Sequence, residues 1–108
     1  MTIKIGNYTF EGPFGSSSSL KKQSGVYAIL GRPRTILNPL PTMPNREVVD
    51  IGESEDVKHR VENHDREDCW ESRPHTILNF AAYYCDAINR MSIEKELRQK
   101  YRPPCGEH

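Results

Sequence analysis

Apolar and polar residues alternate from Thr2 to Phe10, with Ile3 and Ile5 before the pair Gly6-Asn7 and Tyr8 and Phe10 after it. A period of two predicts strands, and a Gly-Asn pair between two such runs predicts a β-hairpin. From Glu11 to Ser24 the alternation stops; Pro13, Gly15 and serines 16–19 make this a surface connector. Gly25-Val26-Tyr27-Ala28-Ile29-Leu30 is an apolar run bounded by Gly31 and reads as a strand. Arg32 to Arg46, with Pro33, Pro39, Pro41 and Pro44, is a long irregular loop. A loop of that length in a small domain is either functional or a simple insertion. Glu47-Val48-Val49-Asp50-Ile51-Gly52 is a second strand.

The period then changes. Val57 and Val61, four apart, give the buried stripe of a helix that starts at Ser54 as N-cap and reaches about Asp65. Glu55 and Asp56 suit its positive end. His75 to Cys85 returns to strand character, and Ile93, Leu97 and Tyr101 mark a last helix from about Asn89, closed by Pro103-Pro104. The order predicts an α+β fold: a small mixed or antiparallel sheet with a β-β-α-β-α core, an N-terminal β-hairpin, and helices on one or both faces. Residues 1–23 are the hairpin and its connecting loop, and residues 24–108 the rest of one compact domain, since 108 residues leave no room for a second core.

Composition narrows the picture. A hydrophobic share of 35% and a mean hydropathy of −0.75 predict a small core and long loops. Lys plus Arg equals Asp plus Glu at 15 each, so nucleic acid could be held only by a local patch. No apolar run suits a signal peptide or a bilayer span, and Cys69, Cys85 and Cys105 follow no framework spacing. These features predict a cytoplasmic protein with reduced, unbridged thiols, Cys85 the most buried of them. His64, Cys69, His75, Cys105 and His108 lack the paired spacing of a structural zinc site, and nothing orients a base toward Cys85. Trp70 reads as a packing anchor, and the run Asp65 to Asp68 as solvated surface.

Tyr27 lies in the first core strand, Asp50 and Gly52 close the second, and Arg60 and His64 share one helix face at a spacing of four. Glu94 follows the apolar Ile93 on the last helix. Singly each has a plainer explanation: a core aromatic, a solvated helix face beside Lys58 and Glu62, ordinary surface charge.

Taken in order, Gly25-Val26-Tyr27, Val49-Asp50-Ile51-Gly52-Glu53-Ser54, Asp56 to Arg60 with His64, and Ile93-Glu94-Lys95-Glu96-Leu97 to Tyr101-Arg102-Pro103-Pro104 resemble the GIY-YIG nuclease domain. The likeness spans about residues 24 to 106, with its motifs on the element types that family has. It implies metal-dependent hydrolysis of phosphodiester bonds, in DNA before RNA, by a single-domain member of the family. Tyr27, Arg60, His64, Glu94 and Asp50 would then be the working set. Glu94 would hold one Mg2+ or Mn2+, Arg60 the scissile phosphate with Lys58 and His59 beside it, and Tyr27 the attacking water. Specificity would come from a dimer, a protein partner or a structured substrate. The chain departs from the family's pattern at Asp50, where the second motif has a tyrosine, and at Cys105-Gly106, where an asparagine belongs. Asp50 either compensates as proton acceptor or added metal ligand, or marks a scaffold kept as a non-catalytic binding module.

Overall fold

The computed structural model describes residues 1–33, 46–72 and 76–106. The hairpin forms as its alternation predicts: β1 (Thr2–Ile5) and β2 (Tyr8–Phe14) pair antiparallel, Ile3 opposite Phe10 and Ile5 opposite Tyr8. β2 continues to Phe14 because Glu11 and Phe14 find partners in Ala82 and Phe80, so the first part of the expected connector is strand. Ser17–Ser19 make one 3-10 turn, capped by the Ser16 hydroxyl.

β3 (Gly25–Pro33), β4 (Glu47–Ser54) and β5 (Thr76–Tyr84) complete one antiparallel sheet in the order β1-β2-β5-β3-β4. Both β3 and β4 outrun their expected ends, since cross-strand pairing extends from Gly25 opposite Ser54 to Gly31 opposite Glu47. Of the expected loop Arg32 to Arg46, Arg32 and Pro33 belong to β3; residues 34–45, and His75 at the expected start of β5, lie outside the described residues.

Alternation along β3 divides the interior. Val26, Ala28 and Leu30 face a core with Ile3, Ile5, Phe10, Ile93 and Leu97; Tyr27 and Ile29 face another with Val57, Val61 and Trp70. Both faces of the sheet are therefore covered, which is why β3 is apolar without interruption. A bulge between β3 and β4 sets Ile29 opposite Asp50 and Leu30 opposite Val48, leaving Val49 extra. Neighbouring Val49 and Asp50 thus both serve the second face.

Its helices differ from the expected single one. α1 (Val57–Glu62) is capped by Asp56, whose carboxylate accepts the His59 N–H at 3.0 Å, while the Ser54 hydroxyl accepts the Asp56 N–H one turn earlier. It ends at Asn63, because the stripe of Val57 and Val61 would continue at Asp65, which is polar. A short α2 (Glu67–Glu71) follows inside the charged run and buries Trp70. α3 (Ala87–Tyr101) covers the first face through Ile93 and Leu97. It starts two residues before the expected Asn89, since Asp86 accepts the Asn89 N–H at 2.9 Å.

Beyond α3 the chain turns at Arg102 (φ 47°) and crosses to the second face along β4. The Cys105 N–H donates to the Val49 carbonyl at 3.0 Å, covering part of an edge strand. There Cys105 is bonded to Cys69 of α2. This corrects the expectation of three unbridged thiols: only Cys85 is free, and Cys105, at 1% exposure, is more buried than Cys85. The pairing was invisible in the sequence because the two residues, 36 apart, meet only after the tail rounds β4. Closing a loop of that length lowers the entropy of the unfolded chain by the equivalent of about 4 kcal/mol. Reduction is therefore expected to lower the melting temperature by roughly 15 °C or more, read by thermal melts with and without a phosphine reductant. Identical melts, with both thiols alkylated under native conditions, would show that the bond contributes nothing. Among the described residues, no helix is long and apolar enough to cross a membrane.

Candidate functional site

Tyr27 leaves β3 on the second face, under α1 and α2, with its hydroxyl 2.5 Å from Nε2 of His64. An added Cβ at Gly52 would lie 2.1 Å from that hydroxyl, so the strand opposite Tyr27 must carry glycine for the ring to lie where it does. Nδ1 of His64 accepts the backbone N–H of Arg66 at 3.0 Å. A neutral imidazole carries one ring proton, so that proton sits on Nε2 and is donated to the Tyr27 oxygen. The phenol's own proton is thereby left for another acceptor.

Electrostatics fix the charge states. Burial, then the guanidinium groups of Arg66 and Arg60, push His64 down to about 4, so it is neutral at physiological pH. Burial pushes Tyr27 up to about 12, against the pull of Arg66 and Arg60. Tyr27 therefore keeps its proton, and it can orient a water but not deprotonate one in this state.

The depressed His64 value has a consequence for stability. Unfolded histidine titrates near 6.5, so above that pH both states are neutral and the full contribution is present. Between about 6.5 and the folded value of about 4 the unfolded chain takes up a proton that the folded protein refuses, and stability falls as pH falls. The loss attributable to His64 is expected to be on the order of 2–3 kcal/mol. Chemical denaturation at pH 7.5 and pH 4.5 should show it, and His64→Gln should flatten that part of the profile. A profile that stays just as steep in the variant would remove His64 as its cause.

Asp50 is fully buried and accepts five hydrogen bonds: Arg66 Nε (2.8 Å) and Nη2 (3.3 Å), Trp70 Nε1 (2.8 Å), Arg98 Nη1 (3.0 Å) and its neighbour Ile51 N–H (2.8 Å). Arg98 comes from α3 around the edge of β4, and its guanidinium also donates to the carbonyls of Ile51 and Cys105. Gly106, at φ 99°, lies so close to it that a Cβ there would overlap Nη2 at 1.8 Å. Two oxygens engaged by this many donors have no lone pair turned to an incoming ion.

Arg60 is partly exposed and pairs with the exposed Asp65 at 3.1 Å. Glu94 projects from α3, the helix on the face opposite Tyr27, yet it shares the surroundings of Asp50: desolvation raises its pKa, Arg98 and Arg66 lower it, and Glu53 and Asp50 raise it again. Glu53 is itself held by Arg90 at 2.6 Å. Tyr27, His64, Arg60 and Asp50 are thus together on the second face, whereas Glu94 stands on the helix of the first face, with no hydrogen bond or ion pair to them among the described residues. Lys58 and His59 stand apart; no hydrogen bond or ion pair among the described residues links their side chains to this group, and the exposed His59 ring meets Asn63.

Of the two candidate ligands Asp50 and Glu94, Glu94 fits a hard cation better. It is half-buried, has no hydrogen bond or ion pair among the described residues, and carries a charge its surroundings oppose. Mg2+ keeps several waters and accepts a site with one protein carboxylate. Asp50 does not fit that role. Among the described residues no three His, Cys, Asp or Glu side chains group as a ligand set.

Sequence reasoning missed Arg66 and Arg98. Arg98 stands four residues after Glu94, a helical spacing that pointed to a shared face. Arg66 lay in a charged run with nothing local to mark it.

Fold and site define a small antiparallel α+β domain, helices on both faces, with a buried tyrosine–histidine pair and a two-arginine carboxylate cluster beside its edge strand. Comparison with protein-family models, with curated proteins and with solved structures returned no match for this chain.

Proposed function

We propose that the chain is a GIY-YIG-like domain that hydrolyses phosphodiester bonds in nucleic acid, DNA before RNA, with one divalent cation. The observation that carries this reading is the Tyr27–His64 pair with Arg60 beside it, Asp65 lying 3.1 Å from Arg60 and 3.3 Å from His64; Glu94 comes from α3, across the sheet. Arg60 offers a fork of donors to the phosphate. Its partner Asp65 is 74% exposed, and such surface pairs are weak, so an incoming phosphate can displace it. Tyr27, with its proton turned away from His64, orients the water. Glu94 would hold Mg2+ or Mn2+, which supplies charge neutralisation at the phosphate and a more acidic water. In the cytoplasmic setting proposed for the chain a stable Cys69–Cys105 bond is unusual; alkylation of protein taken directly from cells checks that point. Specificity would come from a dimer, a protein partner or a structured substrate.

The test is cleavage of branched, single-stranded and duplex substrates with Mg2+ and with Mn2+. Metal-dependent products that vanish with EDTA support the reading, and their absence on every substrate sinks it. A second reading has its own observation in its favour: Tyr27 is 1% exposed and Asp50 fully bonded, as in a scaffold kept for binding alone. Nucleic-acid binding without cleavage would choose that reading.

A further inference from the structure

Arg66 approaches Asp50 side-on. Nε and Nη2 are engaged, at 2.8 and 3.3 Å, and Nη1 has no partner among the described residues. Its side chain is 27% exposed, against 15% for Arg98, which reaches the same carboxylate from the other side. Trp70 donates to the oxygen that Arg66 Nε uses, and its ring lies against His64 with centroids 4.7 Å apart. The guanidinium is therefore held in one orientation by a buried carboxylate that Trp70 also engages, with one arm of its donor fork unused. One carboxylate between two guanidinium groups also leaves a positive excess at this point. Asp65 Oδ1 lies 3.1 Å from Arg60 Nη2 and 3.3 Å from His64 Nδ1, and the Arg66 backbone N–H donates to that same Nδ1 at 3.0 Å, so both arginines flank the His64 ring.

We propose that Arg66 is a second phosphate-binding group, working with Arg60 to hold the sugar-phosphate backbone of a nucleic acid. The ligand class rests on the function proposed above, but binding and cleavage separate in the test. Pre-organisation is the physical reason Arg66 suits this role. Its side chain is already fixed by Asp50, so little entropy is lost when a phosphate oxygen takes the free Nη1 donors. The overall charge balance of zero also requires that any such binding be this local.

The experiment is fluorescence anisotropy of a labelled DNA duplex with the full chain in EDTA, where no hydrolysis can occur, across a series of salt concentrations. Arg66→Gln should weaken binding about 10- to 100-fold, the range of a lost charge-assisted hydrogen bond. It should also reduce the slope of log K against log salt by about one unit, because one phosphate contact is gone. Arg66→Lys should keep the slope and recover only part of the affinity. A purely structural arginine would change the melting temperature and leave the slope of the folded protein as it was; that result overturns the assignment, as does wild-type protein that does not bind the duplex at all. Cleavage by the wild type with an unchanged slope in Arg66→Gln removes Arg66 and keeps the hydrolytic reading. A shifted slope without cleavage on any substrate keeps Arg66 and removes hydrolysis.

Discussion

Asp50→Asn is expected to cost about 3–5 kcal/mol of stability, the range for removing one member of a buried ion-pair network. The amide keeps the shape of the carboxylate but brings an NH2 group where Arg66, Arg98, Trp70 or Ile51 now donates, and it removes the buried charge that both guanidinium groups share. In a domain of this size that corresponds to a fall in melting temperature of roughly 15 °C or more, and to a large share of the total stability. Calorimetry or a circular-dichroism melt measures it. Arg66→Gln, which removes a partly exposed partner, should lower the midpoint by less. Asp50→Tyr, which would restore the residue type of the family's second motif, must set a ring where two guanidinium groups and an indole N–H converge. It is therefore expected to unfold the protein rather than to activate it. An Asp50→Asn melt within a degree or two of wild type would show that the carboxylate is not the centre of this cluster.

Glu94→Ala is the second large effect, and it acts on activity. If Glu94 holds the cation, its loss should lower metal-dependent cleavage by at least about 1000-fold, since a bound metal contributes several kcal/mol to the transition state. The fold should survive. Glu94 is half-buried, is not part of either core, and has no hydrogen bond among the described residues. The sign of its stability contribution supports the same outcome. Its folded pKa is raised, chiefly by desolvation, so its favourable contribution is complete only below the unfolded value and is lost as pH rises through the folded one. At neutral pH the ionised carboxylate is thus a liability, and Glu94→Gln should melt slightly higher than wild type while being inactive. Cleavage rates and melts on the same preparations decide this. Full activity in Glu94→Ala would remove Glu94 as the metal ligand.

The sheet was legible because its signal is local. Alternation in Thr2 to Phe10 and the apolar run from Gly25 to Leu30 each state their own secondary structure, and β1, β2 and β3 lie there. Element ends were less so. β2 outran its predicted limit because its last pairings are with β5, some 70 residues on in the chain. The charged run Asp65 to Asp68 shows the same limit more sharply. As sequence it is solvated surface; in the fold Arg66 is drawn inward by Asp50 from β4, and the residues after it close into α2 because Trp70 has a carboxylate and a histidine to pack against.

Local pattern by itself thus determined the α+β class, the strands and the last helix, while the candidacy of Tyr27, Arg60, His64 and Glu94 came from the order of motifs in the resemblance. Tertiary structure alone decided which of those groups share surroundings, that Asp50 is a bonded hub, and that Cys69 meets Cys105. The physical reason is that secondary structure follows from side-chain period within a few residues, whereas charge state, hydrogen-bond partner and disulfide partner depend on distance in space. Here those distances were set by a bulge in β4 that turns Asp50 inward and by a tail that rounds the sheet's edge.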